Sequence, residues 1–326
     1  MRYLITGGAG FIASHLADSL VETGHEVVAL DNLSTGRRVN VAHLEGRENF
    51  TFVQGSVLDE LLVDELAHDA DVIVHLAAAV GVELIVRRPL QTLITNIRGS
   101  EIVLAAAHRY GVKTLIASTS EIYGKNTSGP LSEDSDRILG STTIARWGYS
   151  TSKAVDEILA YAYHRERDLP TVVIRLFNTV GPRQSGAYGM VLPRFVNRAL
   201  SRQPLLVYGD GAQTRCFVHV GDVVRGILGL LDEPRAIGDV FNIGGTEEIS
   251  IRALAERVVA STGSMSLIQS IPYTDVYDAG FEDMRRRVPD TAKIRSLIGW
   301  TPQFSLDEII QDVTEGTRSD TPAIKL

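Results

Sequence analysis

Tyr149 and Lys153 stand four residues apart in Tyr149-Ser150-Thr151-Ser152-Lys153, at the start of a helical pattern, so one helix face carries a phenol and an ammonium. A cation beside a phenol favours phenolate, which lets a tyrosine take a proton from an alcohol near neutral pH. In a chain with ten tyrosines the spacing alone proves little, and its weight comes from its surroundings. Upstream, Ser118-Thr119-Ser120-Glu121-Ile122-Tyr123-Gly124 ends an apolar run, where Thr119 can share the alcohol's proton with Tyr149. Glu121 reads in two ways: it acts on a substrate, or it orients a helix or pairs with an arginine.

The elements that must position these groups begin at the N-terminus. Residues 2–6 form a β-run that enters Gly7-Gly8-Ala9-Gly10-Phe11-Ile12-Ala13, a helical pattern follows over 12–21, and a buried run over 26–30 ends in Asp31. Gly7 allows the tight turn, Gly10 lets a pyrophosphate approach backbone N–H groups at the positive helix end, and Ala13 lets the helix lie close to the strands. Asp31 is placed to hydrogen-bond the adenosine ribose, and its carboxylate would repel a 2′-phosphate, which favours NAD over NADP. Phe11, Ile12, Asn32 and Val57 join Gly7, Gly10 and Asp31 as cofactor-binding candidates.

Further strands are expected at 51–54, 71–75, 113–118 and 171–175, separated by helices near 59–67, 89–110 and 148–167. That alternation implies an α/β fold with a doubly wound parallel sheet of Rossmann type, its ligands at the carboxyl ends of the strands. After residue 177 helices outnumber strands (190–200, 251–261, 291–297, 306–317), and Ser305 with Glu308 makes a capping box. The expected division is a nucleotide-binding domain, 1–176, to which 218–244 returns, and a smaller C-terminal α/β substrate-binding domain, 177–217 with 245–326. The polar tail 318–326 is expected to fray.

Composition narrows the partners. The 326 residues carry a net charge of −8 with no block of one sign, so neither nucleic acid nor an anionic membrane is implied. Cys216 is the single cysteine and reads as a packing residue. The eight histidines show no metal-ligand spacing, so no catalytic metal is expected, and His75 reads as structural or near the cofactor. No apolar run has the length of a membrane span and no signal peptide is visible, so a cytoplasmic enzyme is expected.

Gly7-x2-Gly10-x2-Ala13, Asp31, His75-Leu76-Ala77-Ala78, Asn96, Ser118–Tyr123, Tyr149-x3-Lys153, Arg175-x-Phe177-Asn178 and Gly181-Pro182-Arg183 together resemble the extended short-chain dehydrogenase/reductase family, the NAD-dependent sugar-nucleotide epimerases, dehydratases and decarboxylases. Two departures are Ala13, where a third glycine is usual, and Ser56, where an aspartate often meets the adenine. The resemblance implies Ser56, Leu76, Ala77, Ala78 and Asn96 near NAD, and a nucleotide-linked sugar oxidised at C4. It also implies that Asn178, Arg183 and Arg287 hold the sugar-nucleotide pyrophosphate. Arg287 ends the run Arg285-Arg286-Arg287, which otherwise reads as a solvated basic face. Helices equivalent to 89–110 and 148–167 would pair in a homodimeric four-helix bundle, with Leu90, Leu93, Ile97, Ile102, Ala106, Ile158, Leu159 and Tyr163 supplying apolar positions.

Within the family, Thr119-Ser120-Glu121 and Arg146-Trp147-x-Tyr149 resemble UDP-glucuronate decarboxylases, as does the segment 209–217, which places Arg215 as an active-site arginine. The expectation is decarboxylation of UDP-glucuronate through a 4-keto intermediate, giving UDP-xylose or a released 4-keto pentose, with Thr119, Ser120, Glu121, Tyr149, Lys153 and Arg215 as the catalytic set. Arg215 is open to a second reading, a clamp on the diphosphate. The alternatives are a sugar-nucleotide 4-epimerase, a 4,6-dehydratase, and a non-catalytic NAD-binding protein. Ser120 cannot supply the proton a dehydratase needs, and a sensor has no need of Thr119, Tyr149 and Lys153 together.

Overall fold

A computed structural model describes residues 1–81, 85, 87–186, 190–276 and 284–320. The chain runs β1 (Arg2–Thr6), α1 (Phe11–Glu22), β2 (Glu26–Asp31), β3 (Phe50–Gln54), α2 (Glu60–His68), β4 (Val72–His75), α3 (Pro89–Leu93), α4 (Gly99–Tyr110), β5 (Lys113–Thr119), α5 (Ala145–Arg167) and β6 (Thr171–Leu176). It continues with β7 (Asn178–Val180), α6 (Val191–Leu200), β8 (Leu205–Tyr208), β9 (Thr214–His219), α7 (Val220–Asp232) and β10 (Asp239–Ile243). The last elements are β11 (Glu248–Ser250), α8 (Ile251–Thr262), β12 (Ile268–Ile271), β13 (Arg286–Arg287), α9 (Ala292–Ile298) and α10 (Leu306–Asp320).

Seven strands form one parallel sheet in the order β10-β6-β5-β4-β1-β2-β3. The apolar runs of β1, β2 and β4 are buried almost throughout, as a sheet covered on both faces requires. Alternation divides them: Ile5 and Val74 pack with Leu16 and Leu20 of α1 and Ile227 of α7, whereas Leu4 and Ile73 pack with Val63 of α2 and Val103 and Leu104 of α4. The strand order reverses beside β1, so the carboxyl ends of β1 and β4 open a crevice.

The C-terminal elements share a third core of Leu192, Phe195, Leu254, Val258, Ile309 and Ile310. Here β9 pairs with β7, β11 and β13, and β8 pairs with β12. Ser305 and Glu308 cap α10 reciprocally, Ser305 N–H donating to Glu308 Oε2 at 2.8 Å and Glu308 N–H to Ser305 Oγ at 3.4 Å.

Two expectations on elements need correction. The helix over 89–110 is interrupted at Ile94–Arg98, which widen into a π turn. The tail does not fray at 318, because α10 continues to Asp320; residues 321–326 lie outside the described residues. No helix among the described residues is long and apolar enough to cross a membrane.

Candidate active site

The strand ends open into a cavity of about 870 Å³, bounded on its far side by residues of α6, β8, β9 and β13. Its first part is a dinucleotide cradle. Gly7 has φ +70°, and a Cβ there would stand 2.9 Å from Ala77 Cα. A Cβ on Gly10 would meet Gly7 O at 2.8 Å, and no side chain caps the first turn of α1, so its N–H groups are open to an anion. Asp31 ends β2, its Oδ2 accepting from Ala9 N–H at 3.0 Å and its Oδ1 from Leu33 N–H at 2.7 Å. Burial raises the Asp31 carboxyl pKa, and those two amides oppose the rise. Phe11, Ile12, Asn32, Val57, Leu76, Ala77 and Ala78 line the same space. These residues fit NAD: a turn a side chain would fill, a bare helix end and an acid at the second strand.

Two expected cofactor residues lie elsewhere. Ser56 is outside the cavity lining, and its hydroxyl accepts from Leu58 N–H at 3.1 Å, holding a turn. Asn96 is fully buried in the π turn, where its Oδ1 accepts from Ala79 N–H at 2.8 Å and its Nδ2 donates to Ser152 Oγ at 3.1 Å. It therefore clamps the loop after β4 to α5. Gly8, without a role in the reading of the glycine turn, is demanded by Ala29, whose Cβ would lie 2.6 Å from its own.

Thr119, Ser120, Glu121, Tyr149 and Lys153 all line the cavity. Thr119 ends β5, and its side chain hydrogen-bonds Tyr149, which is 7% exposed. Burial pushes the Tyr149 phenol far up and the Glu121 carboxylate pushes it further, against the Thr119 hydrogen bond and the Arg287 charge. Lys153 does not spend its ammonium on the phenol as the spacing suggested: Nζ donates to Asp156 Oδ2, one turn onward. Asp156 has no place in the spacing argument: an acid three residues after a lysine stands in the sequence, but the burial of the pair does not. Helix α5 is pinned to the sheet by Arg175 on β6, whose guanidinium grips Glu157 and donates to Tyr123 Oη at 2.9 Å. His75 is buried between Thr6 and Ser100, and burial lowers its pKa to about 3, so it is neutral.

The opposite wall is cationic. Strands β9 and β13 pair with Arg215 opposite Arg287. Arg287 Nη1 donates to Glu121 Oε1 at 3.2 Å and its Nη2 bonds Asn178 Oδ1. Arg146, one turn before Tyr149 on α5, stands 3.5 Å from the same Glu121 oxygen. Glu121 thus takes the arginine-paired arrangement. The arginine beside it is Arg287, expected on the pyrophosphate, and not Arg215, whose Nη1 donates to the carbonyls of Thr214 and Met284 at 2.8 Å each. Arg183 lines the cavity but also reaches Asp18 of α1 at 2.8 Å. Arg285 and Arg286 pair outward with Asp210 and Glu248. Cys216 is buried, which raises its thiol to about 12 and leaves it inert.

A Rossmann sheet with a Thr–Tyr–Lys wall facing arginines defines an NAD-dependent dehydrogenase/reductase of the extended short-chain type. The family described as GDP-mannose 4,6 dehydratase matches residues 4–313, and the chain belongs to it. It is 40% identical over 318 residues to a UDP-N-acetyl-alpha-D-glucosaminuronate decarboxylase of Bacillus cytotoxicus, covering 97% of this chain and 98% of that protein. UDP-glucuronic acid decarboxylase 1 of Danio rerio is 38% identical over 309 residues, 94% of this chain and 70% of that one. Among solved structures, a UDP-glucuronic acid 4-epimerase from Bacillus cereus in complex with UDP-glucuronic acid and NAD has a TM-score of 0.87 at 29% identity, covering 98% of this chain and 99% of that one.

Proposed function

We propose that this protein decarboxylates a UDP-linked uronic acid, UDP-glucuronate, giving UDP-xylose. The observation that carries the reading is Glu121, a carboxylate set between Arg146 and Arg287 on the wall that holds Tyr149. Such a charged corner suits a sugar carboxylate and has no purpose beside a neutral CH₂OH. The names of the decarboxylases at 38–40% identity support the same reading.

Gly7, Gly10, Asp31 and the α1 N-terminus would hold NAD, which would supply a hydride acceptor and donor for the sugar C4. Tyr149, hydrogen-bonded to Thr119, takes the C4 hydroxyl proton. The resulting β-keto acid loses CO₂ as the C5–carboxyl bond breaks and its electron pair enters the C4 carbonyl. Arg287 stabilises the enolate oxygen or holds the carboxylate beforehand, and Glu121 with Ser120 assists CO₂ loss and protonation at C5. Asn178, Arg183 and Arg215 meet the diphosphate.

The test is mass spectrometry of the purified protein with UDP-glucuronate and with its 2-acetamido analogue, with and without NAD. Loss of one CO₂ is expected. An unchanged mass with a new chromatographic peak would mean epimerisation, the reading that the Bacillus cereus neighbour favours.

The protein acts as a cytoplasmic homodimer in this reading. Leu90, Ile94, Ile158 and Tyr161 on α3, the π turn and α5 are 71%, 46%, 62% and 54% exposed and suit a four-helix interface. Ile102 and Ala106, expected there, belong to the sheet's own core. Light scattering at micromolar concentration should give twice the 35.5 kDa chain mass, and a monomer would overturn the interface.

A further inference from the structure

The Lys153–Asp156 pair lies within the helix, with side chains 3% and 0% exposed. Asp156 is not among the residues that line the cavity. Its carboxylate connects onward. Ser100, beside the Asp156 carboxyl, lies 3.1 Å from His75 Nε2, and His75 Nδ1 lies 2.7 Å from Thr6 Oγ1. Thr6 Oγ1 accepts from Ala77 N–H at 3.2 Å, and Ala77 is the residue against which Gly7 turns. A buried polar chain therefore runs from Lys153 to the floor of the dinucleotide cradle. Its central carboxylate keeps one oxygen, Oδ1, without a close partner.

We infer that Asp156 is a positioning residue that keeps the Lys153 ammonium charged and fixed on the Tyr149 face of α5. The inference rests on Tyr149 acting as the base. Desolvation disfavours the charged form of any buried lysine, and a carboxylate within hydrogen-bond distance is what restores it. The other ionisable groups around the pair do not replace it. His75 from β4 is neutral, Glu157 on α5 is committed to Arg175, Glu121 after β5 is held by Arg146 and Arg287, and Tyr149 brings no carboxylate. Without Asp156 the buried ammonium has no carboxylate beside it, and its support for phenolate weakens.

The test is the pH dependence of kcat for Asp156→Asn beside Tyr149→Phe, with UDP-glucuronate. Asp156→Asn is expected to lower kcat about tenfold or more with KM nearly unchanged, and to move the alkaline limb of the profile down by about one pH unit or more. A lowered kcat with an unmoved limb overturns the inference, since a merely structural role gives that result. Tyr149→Phe separates the two readings: if it stays active, the base assignment fails, and if it is inactive while Asp156→Asn keeps the wild-type profile, only the role of Asp156 fails. Should Asp156→Asn not fold, Asp156→Ser, which also removes the carboxylate beside Lys153, decides: the same downward shift of the limb supports the inference, and an unmoved limb overturns it.

Discussion

The two walls of the cavity are assembled by different means. The β5–α5 wall draws Thr119, Ser120, Tyr149 and Lys153 from neighbouring elements, and its groups are satisfied within a few turns or by the adjacent strand. The β9–β13 wall reaches across the chain: Arg287 bonds Glu121 from 166 residues away and Asn178 from 109, and Arg215 rests on the Met284 carbonyl 69 residues on. The first is preset by backbone geometry. The second is a set of ion pairs that can trade a protein carboxylate for a ligand's without leaving a charge bare.

The largest effect expected is on the preset wall. Tyr149→Phe should lower kcat by about 10²-fold or more while NAD binding, followed by calorimetry, stays within a few-fold. Substantial residual turnover would show that proton removal does not depend on this wall.

On the cationic wall the two arginines should separate. Arg287→Met removes a charged partner of Glu121 and should reduce kcat/KM by about 10²-fold, whereas Arg215→Met should cost about tenfold. Equal losses would mean that the wall acts as one diffuse charge rather than through the Glu121–Arg287 contact.

The smallest effect concerns stability beneath the preset wall. The unfolded chain protonates His75 near 6.5, while the folded one resists until about 3. Stability from neutral His75 is therefore whole above pH 6.5 and drains as pH falls toward 3, by up to about 1.4 kcal/mol per unit. His75→Asn should flatten the fall of Tm between pH 6 and pH 4.5, and an unchanged slope would locate acid sensitivity elsewhere.

What the sequence disclosed follows the same division. Gly7, Gly10 and Asp31 are legible because their jobs are set within one strand–turn–helix unit, and Thr119, Tyr149 and Lys153 because they sit at ends of regular elements. Ser56 and Asn96 stood at expected positions, but position does not fix direction. The Ser56 hydroxyl folds back on its own turn, and the π turn aims Asn96 at a loop. Arg215 and Arg287 could not be told apart from spacing, since only the register of two strands separated by most of the C-terminal part puts one of them on Glu121. Asp156 was hidden because an acid in the middle of a charged helix resembles a solvated one, and its burial depends on Ser100 and His75 from other elements.

The last strand of the large sheet, β10, reaches β6 only after the excursion through residues 177–238. During synthesis the outer edge of β6 therefore stays bare after the other six strands have left the ribosome. A bare parallel edge invites pairing with another nascent chain. The order of manufacture thus makes the completion of the seven-stranded sheet wait on many of the C-terminal elements, and the two mature together.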